Sequence, residues 1–150
     1  MKSISEVKSI SKWIFIIPFI SVNFCLIIIT NFHQILEPGV PINPTFPYLD
    51  GDVSISRTVR NYPMFLIFKP AMFITSYMLI KYWLNTKLII EKFDKSYKHK
   101  KKIIFFGIAS AILLTIHSIF LGIKFDNDIY KLLRRVVMLS FIIFELIAQA

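Results

Sequence analysis

Three polar side chains interrupt apolar stretches of the sequence, and they are the first candidates for chemistry. Lys69, His117 and Glu145 each lie within a run of hydrophobic residues that could cross a bilayer. A charged side chain at the centre of a membrane helix costs about 2.5–3.5 kcal/mol on insertion scales, so such residues face a bundle interior or a wet cavity. We therefore take these three residues as the candidate catalytic residues.

Each of the three also has a structural interpretation. Lys69 lies about two turns inside its helix and can snorkel outwards, while Pro70 beside it frees a backbone carbonyl. Glu145 is expected to be neutral or paired, and Lys69 is the first candidate partner. His117 is expected to pack with a hydrogen bond, because haem would need a second axial ligand and His33 does not match its depth. We predict no cofactor.

A second group of candidates lies in the long loop from residue 33 to residue 62. Hydroxyl and guanidinium groups alternate there, and this pattern suits phosphate oxygens. In an extended strand the even-numbered side chains would share one face. The predicted contacts with lipid headgroups or phosphate are Ser54, Ser56, Arg57 and Arg60.

The sequence offers little support for a metal site or a known catalytic motif. Asp50 and Asp52 flank a glycine, which is typical of a turn, and two carboxylates without further ligands do not define a metal site. The single cysteine, Cys25, excludes cysteine-based zinc and iron–sulfur sites and is expected to be a small buried hydrophobe. The chain contains no P-loop, HExxH or GxSxG pattern.

The composition places the chain in a membrane. Hydrophobic residues make up 55% of the 150 residues and charged residues only 18%, with a mean hydropathy of +0.62. A soluble domain of this size cannot bury so much apolar surface. The net charge of +9 comes from lysines clustered beside apolar segments, which favours anionic lipid over nucleic acid as the partner.

We predict an all-α, polytopic transmembrane helix bundle that forms a single domain, 1–150. It has four spans and one long exterior loop; the spans cover about 13–32, 63–84, 103–123 and 129–150. Residues 85–102 form a basic connection with seven lysines. The small residues of the third span, Gly107, Ala109, Ser110 and Ala111, suit close helix packing.

The lysine and arginine distribution predicts the orientation. Basic residues are concentrated in the N-terminal tail and in the 85–102 connection, so both should be cytoplasmic. The 33–62 loop then lies outside, in a bacterial inner (cell) membrane. Counted from Val136, the fourth span has only 15 residues, short of the roughly 20 that a span requires. We therefore expect this sequence to be an N-terminal fragment.

Ile55-Ser56-Arg57-Thr58, followed by Asn61-Tyr62-Pro63, lies just before the second span. This stretch resembles the Ile-Ser-Asp-type motif and nearby proline of the FRAG/DRAM/SFK group, six-helix membrane proteins that include PGAP-type lipid-remodelling factors. Arg57 stands where that group has an acidic residue. The resemblance covers four helices and implies two more.

The leading hypothesis is a non-catalytic membrane protein whose exterior loop contacts lipid headgroups or a partner membrane protein. One alternative is an enzyme that acts on lipid or lipid-linked substrates through Lys69, His117 or Glu145. The other is a fragment of a transporter or channel in which these residues line a path.

Overall fold

A computed structural model describes residues 2–36, 58–59, 62–93, 98–121, 123 and 127–150. The described residues form four helices: α1 Lys2–Leu36, α2 Met64–Phe93, α3 Lys100–Phe120 and α4 Asp128–Gln149. No strand occurs within these ranges. The predicted all-helical fold is confirmed for this part of the chain.

Three of the four helices are long and apolar enough to cross a membrane. The candidate spans are Ile4–Thr30, Met64–Phe93 and Lys100–Phe120. Large apolar side chains such as Phe15 and Leu88 point outwards from them, which is expected for helices whose solvent is lipid. These features are consistent with a multi-pass membrane protein.

The helices are longer than the hydropathy pattern alone suggested. α1 includes the basic tail as one continuous helix from Lys2, and α2 continues nine residues past Leu84 to Phe93. α4 does not satisfy the same length and composition criterion, and Arg134, Arg135 and Glu145 interrupt its apolar sequence.

Each helix packs mainly against its neighbour in sequence, and consecutive helices run antiparallel. On α1, Cys25 contacts Met64 of α2, whereas the earlier Ile14 lies beside the later Trp83. Between α2 and α3, Lys69 contacts the residue 119 carbonyl and Ser76 contacts the residue 111 carbonyl. Residue numbers that rise along one helix and fall along the facing helix identify an antiparallel pair. The aromatic pairs Phe120–Tyr130 and Phe106–Phe144 give the same direction for α3 and α4.

Two apolar clusters make up the buried interior, one towards each end of the bundle. The first joins α1, α2 and α3 near the start of α2 and consists of Cys25, Val59, Met64, Phe68, Met72, Leu114 and Leu121. The second joins α2, α3 and α4 near the other end and consists of Leu79, Trp83, Ile104, Ala111 and Ala148. The prediction that Cys25 is buried is confirmed.

The second cluster depends on the small residues of α3. Gly107, Ser110 and Ala111 are all buried, as expected for a close helix contact. The indole ring of Trp83 lies directly on Gly107, and a methyl group added there would overlap the ring. Ser76 adds hydrogen-bond contacts of 2.6 Å to the Ala111 carbonyl and to the Thr115 hydroxyl.

Replacing Gly107 with alanine should therefore destabilise the protein. The added methyl group displaces the Trp83 ring, and overpacking of this kind costs about 1–3 kcal/mol. Thermal unfolding of the purified protein in detergent measures the effect. Ile112→Ala, on the exposed face of the same helix, is the control and should change the melting temperature much less. Equal effects of the two substitutions would contradict the close packing at Gly107.

Candidate functional site

Glu145 is the centre of a polar cluster between three helices. Its Oε2 atom lies 2.5 Å from the Ser110 hydroxyl on α3 and 3.4 Å from Trp83 Nε1 on α2. Its Oε1 atom accepts a hydrogen bond of 2.8 Å from the Gln149 amide, one turn further along α4. No lysine, arginine or histidine among the described residues forms an ion pair with Glu145.

The hydrogen bonds of Ser110 constrain this cluster. A serine hydroxyl has one proton, and the Ser110 oxygen lies 2.8 Å from the Gly107 carbonyl as well as 2.5 Å from Glu145. The Gly107 carbonyl and the Glu145 carboxyl group therefore share the Ser110 hydroxyl as donor, and this contact joins α3 to α4.

An open pocket of about 470 Å³ lies beside this carboxyl group. Its walls come from all four helices, and polar and apolar groups contribute to them about equally. The lining residues are Ser11, Ile14, Leu79, Tyr82, Trp83, Thr86, Ile103, Glu145, Ala148 and Gln149. Its volume falls in the range of small-molecule sites, about 300–1,000 Å³.

Lys69 lies far from this pocket. Its Nζ atom donates a hydrogen bond of 3.3 Å to the Ile119 carbonyl and lies 5.5 Å from the centre of the Phe65 ring. Lys69 and Trp83 are fourteen residues apart on α2, or about 21 Å at 1.5 Å per residue. Since Trp83 contacts Glu145, the expected Lys69–Glu145 pair does not form in this structure.

His117 belongs to the same end of the bundle as Lys69, because Lys69 donates to the Ile119 carbonyl two residues further along α3. The buried Nδ1 atom of His117 and the buried Nε atom of Arg134 have no hydrogen-bond partner within the described residues. The hydrogen bond expected for His117 is therefore not found at Nδ1.

The structure thus separates the three candidate catalytic residues. Glu145 lies at one end of the bundle and Lys69 at the other, and among the described residues no hydrogen bond or ion pair joins either of them to His117. The groups that do surround Glu145 include Trp83, Ser110 and Gln149. Only Gln149 could have been identified from spacing, because it lies four residues from Glu145 on a helix.

The loop candidates Ser54, Ser56, Arg57 and Arg60 lie outside the described residues, as do Asp50 and Asp52. The two described residues between Arg57 and Arg60 are informative. Thr58 and Val59 are only 1% and 3% exposed, and Val59 belongs to the same apolar cluster as Cys25 and Met64. This part of the loop is therefore held against the bundle.

Comparisons of the chain with family models, with curated proteins and with solved structures give no match. The function is therefore argued from the residues and their geometry.

Ser110→Ala should destabilise the protein because it removes the partner of Glu145 on α3. Loss of one partner of a buried polar group costs about 1–3 kcal/mol. Ser118→Ala is a matched control, since Ser118 is also buried on α3 but bonds only to the Leu114 carbonyl of its own helix. Thermal unfolding in detergent should show a clearly larger decrease in melting temperature for Ser110→Ala than for Ser118→Ala. Equal decreases would refute a specific role for the Glu145 contact.

A double-mutant cycle of Lys69→Met and Glu145→Gln tests the separation of the two residues. Substitutions at distant sites without shared partners change the free energy of unfolding additively to within about 0.3–0.5 kcal/mol. The coupling free energy of this pair should therefore fall within that range. The measurement is thermal or denaturant unfolding of the two single variants and the double variant. A coupling above about 1 kcal/mol would be typical of residues in contact and would contradict the observed arrangement.

Proposed function

We propose that the chain is a non-catalytic polytopic membrane protein with four spans, whose exterior loop contacts lipid headgroups. The observation that carries this proposal is the burial of Thr58 and Val59 against the bundle. Thr58 and Val59 pack against the end of the bundle where α2 begins. Arg57 and Arg60 are the residues directly before and after them in the sequence. We further propose that this end faces the exterior of a bacterial inner membrane and that the N terminus is cytoplasmic.

The burial pattern of α4 supports a fourth span. Apolar side chains such as Leu132, Leu139 and Ile143 are exposed on one side of this helix. On the other side Arg134 and Glu145 are partly buried against the bundle. Soluble proteins show the opposite arrangement, with polar groups outside. Polar residues directed inwards and apolar residues directed outwards are typical of a helix in lipid.

The separation of the candidate residues supports a non-catalytic role. A catalytic centre requires its acid, base or nucleophile within hydrogen-bond reach of one substrate. Lys69 and Glu145 are at opposite ends of the bundle, so a single substrate of ordinary size would not reach both. An enzyme built from these residues is therefore the weaker interpretation.

Lipid phosphate is the preferred partner of the loop on chemical grounds. Arginine binds phosphate oxygens in a bidentate manner, and hydroxyl groups donate to the same oxygens. Ser54, Ser56, Arg57 and Arg60 supply both kinds of group within seven residues. The proposed relationship to the FRAG/DRAM/SFK group, which contains lipid-remodelling factors, agrees with a lipid partner.

The orientation is tested by cysteine labelling in intact cells, in a Cys25→Ala background. A cysteine at Ser54 should react with a membrane-impermeant maleimide because the loop is exterior. A cysteine at Ser96, in the basic connection between α2 and α3, should be protected until the cells are opened. The reverse labelling pattern would overturn the proposed topology.

The lipid contact is tested with a photoreactive phenylalanine at position 56, activated in intact cells. It should form phospholipid adducts, and Arg57→Gln with Arg60→Gln should reduce them several-fold because the guanidinium groups hold the phosphate. The same probe at Tyr77, which is exposed on α2, should react with lipid regardless of these substitutions. If the adducts instead have the mass of one additional protein, the loop contacts a partner protein and not a lipid. Chemical conversion of the cross-linked lipid would favour the enzyme.

A further inference from the structure

We propose that the pocket beside Glu145 binds an amphiphilic organic cation, an ammonium group that carries an apolar substituent. Glu145 supplies the opposite charge, and Tyr82 and Trp83 supply aromatic wall beside it. The proposal concerns the end of the bundle opposite the exterior loop and does not depend on the lipid contact proposed for that loop.

The charge arrangement around Glu145 points to a cation. The carboxyl group has contacts with a hydroxyl, an indole and an amide, contributed by Ser110, Trp83 and Gln149. All three groups are neutral, and no basic side chain in the described part of the chain pairs with Glu145. An ionised carboxyl group in apolar surroundings requires a positive partner, and a bound ammonium group would provide it.

The walls of the pocket select an organic cation rather than a metal ion. Calcium takes six to eight oxygen ligands and magnesium a rigid octahedron, whereas Glu145 is the only carboxylate among the lining residues. The remaining walls include Ile14, Leu79, Ile103 and Ala148, which favour an apolar substituent. The half-buried Tyr82 ring also lines the pocket, and the face of an aromatic ring attracts a cation.

The test uses benzyltrimethylammonium and its uncharged isostere neopentylbenzene, which have nearly the same shape. Binding to the purified full chain in detergent is followed by Trp83 fluorescence in a Trp13→Phe background and by calorimetry. The cation should bind saturably, and the isostere should not. Equal responses to the two compounds would mean partition into detergent and would overturn the proposal.

Glu145→Gln should weaken binding of the cation at least about tenfold, equivalent to about 1.4 kcal/mol, because it removes the charge and keeps the shape. Glu91→Gln is the matched control: Glu91 is a carboxylate on α2 outside the pocket and pairs with Lys100. It should bind the cation as the unmodified protein does. Unchanged binding by Glu145→Gln would overturn the proposal.

A second variant decides the question if Glu145→Gln fails to fold. Ser11 lines the pocket but is exposed on α1, so Ser11→Phe should fold and occupy the entrance. It should weaken binding of benzyltrimethylammonium several-fold. Undiminished binding by Ser11→Phe would place the cation elsewhere and contradict the assignment of this pocket.

Discussion

The indole ring of Trp83 joins three helices, and the arrangement of the bundle depends on it. Its face lies on Gly107, which brings α2 and α3 close together, and its Nε1 atom is directed towards Glu145 on α4. A larger residue at 107 would push the ring away from the carboxyl group. Packing and polar contact are thus coupled at one side chain, and the pocket beside it has its shape for the same reason.

The two ends of the bundle contain different chemistry. At the end where α2 begins, cationic groups dominate: Lys69 caps a backbone carbonyl, and Arg134 lies near His117. At the other end, the Glu145 carboxyl group is surrounded by neutral donors. The lipid headgroup proposed for the first end and the cation proposed for the second agree with this difference. The distance between the ends separates the two proposed sites.

Hydropathy was sufficient to predict the helical class and the approximate positions of the three long apolar helices, because twenty apolar residues in succession are stable only as a helix in lipid. The small face of α3 and the burial of Cys25 were also predictable. The pairing of Lys69 with Glu145 was not, since hydropathy does not specify which turns of two helices lie at the same height. Trp83 lies at the far end of the predicted second span, where aromatic residues commonly sit at the membrane interface, yet it is buried against α3.

The sequence by itself determined the helical architecture, the apolar exterior and the identity of the rare polar residues inside it. Only the tertiary structure decided which of those residues meet. The physical reason is that hydrophobicity acts on each helix independently, whereas a hydrogen bond such as Ser110–Glu145 depends on the rotation and relative height of two helices. These are set by side-chain packing, here by the contact of Gly107 with Trp83.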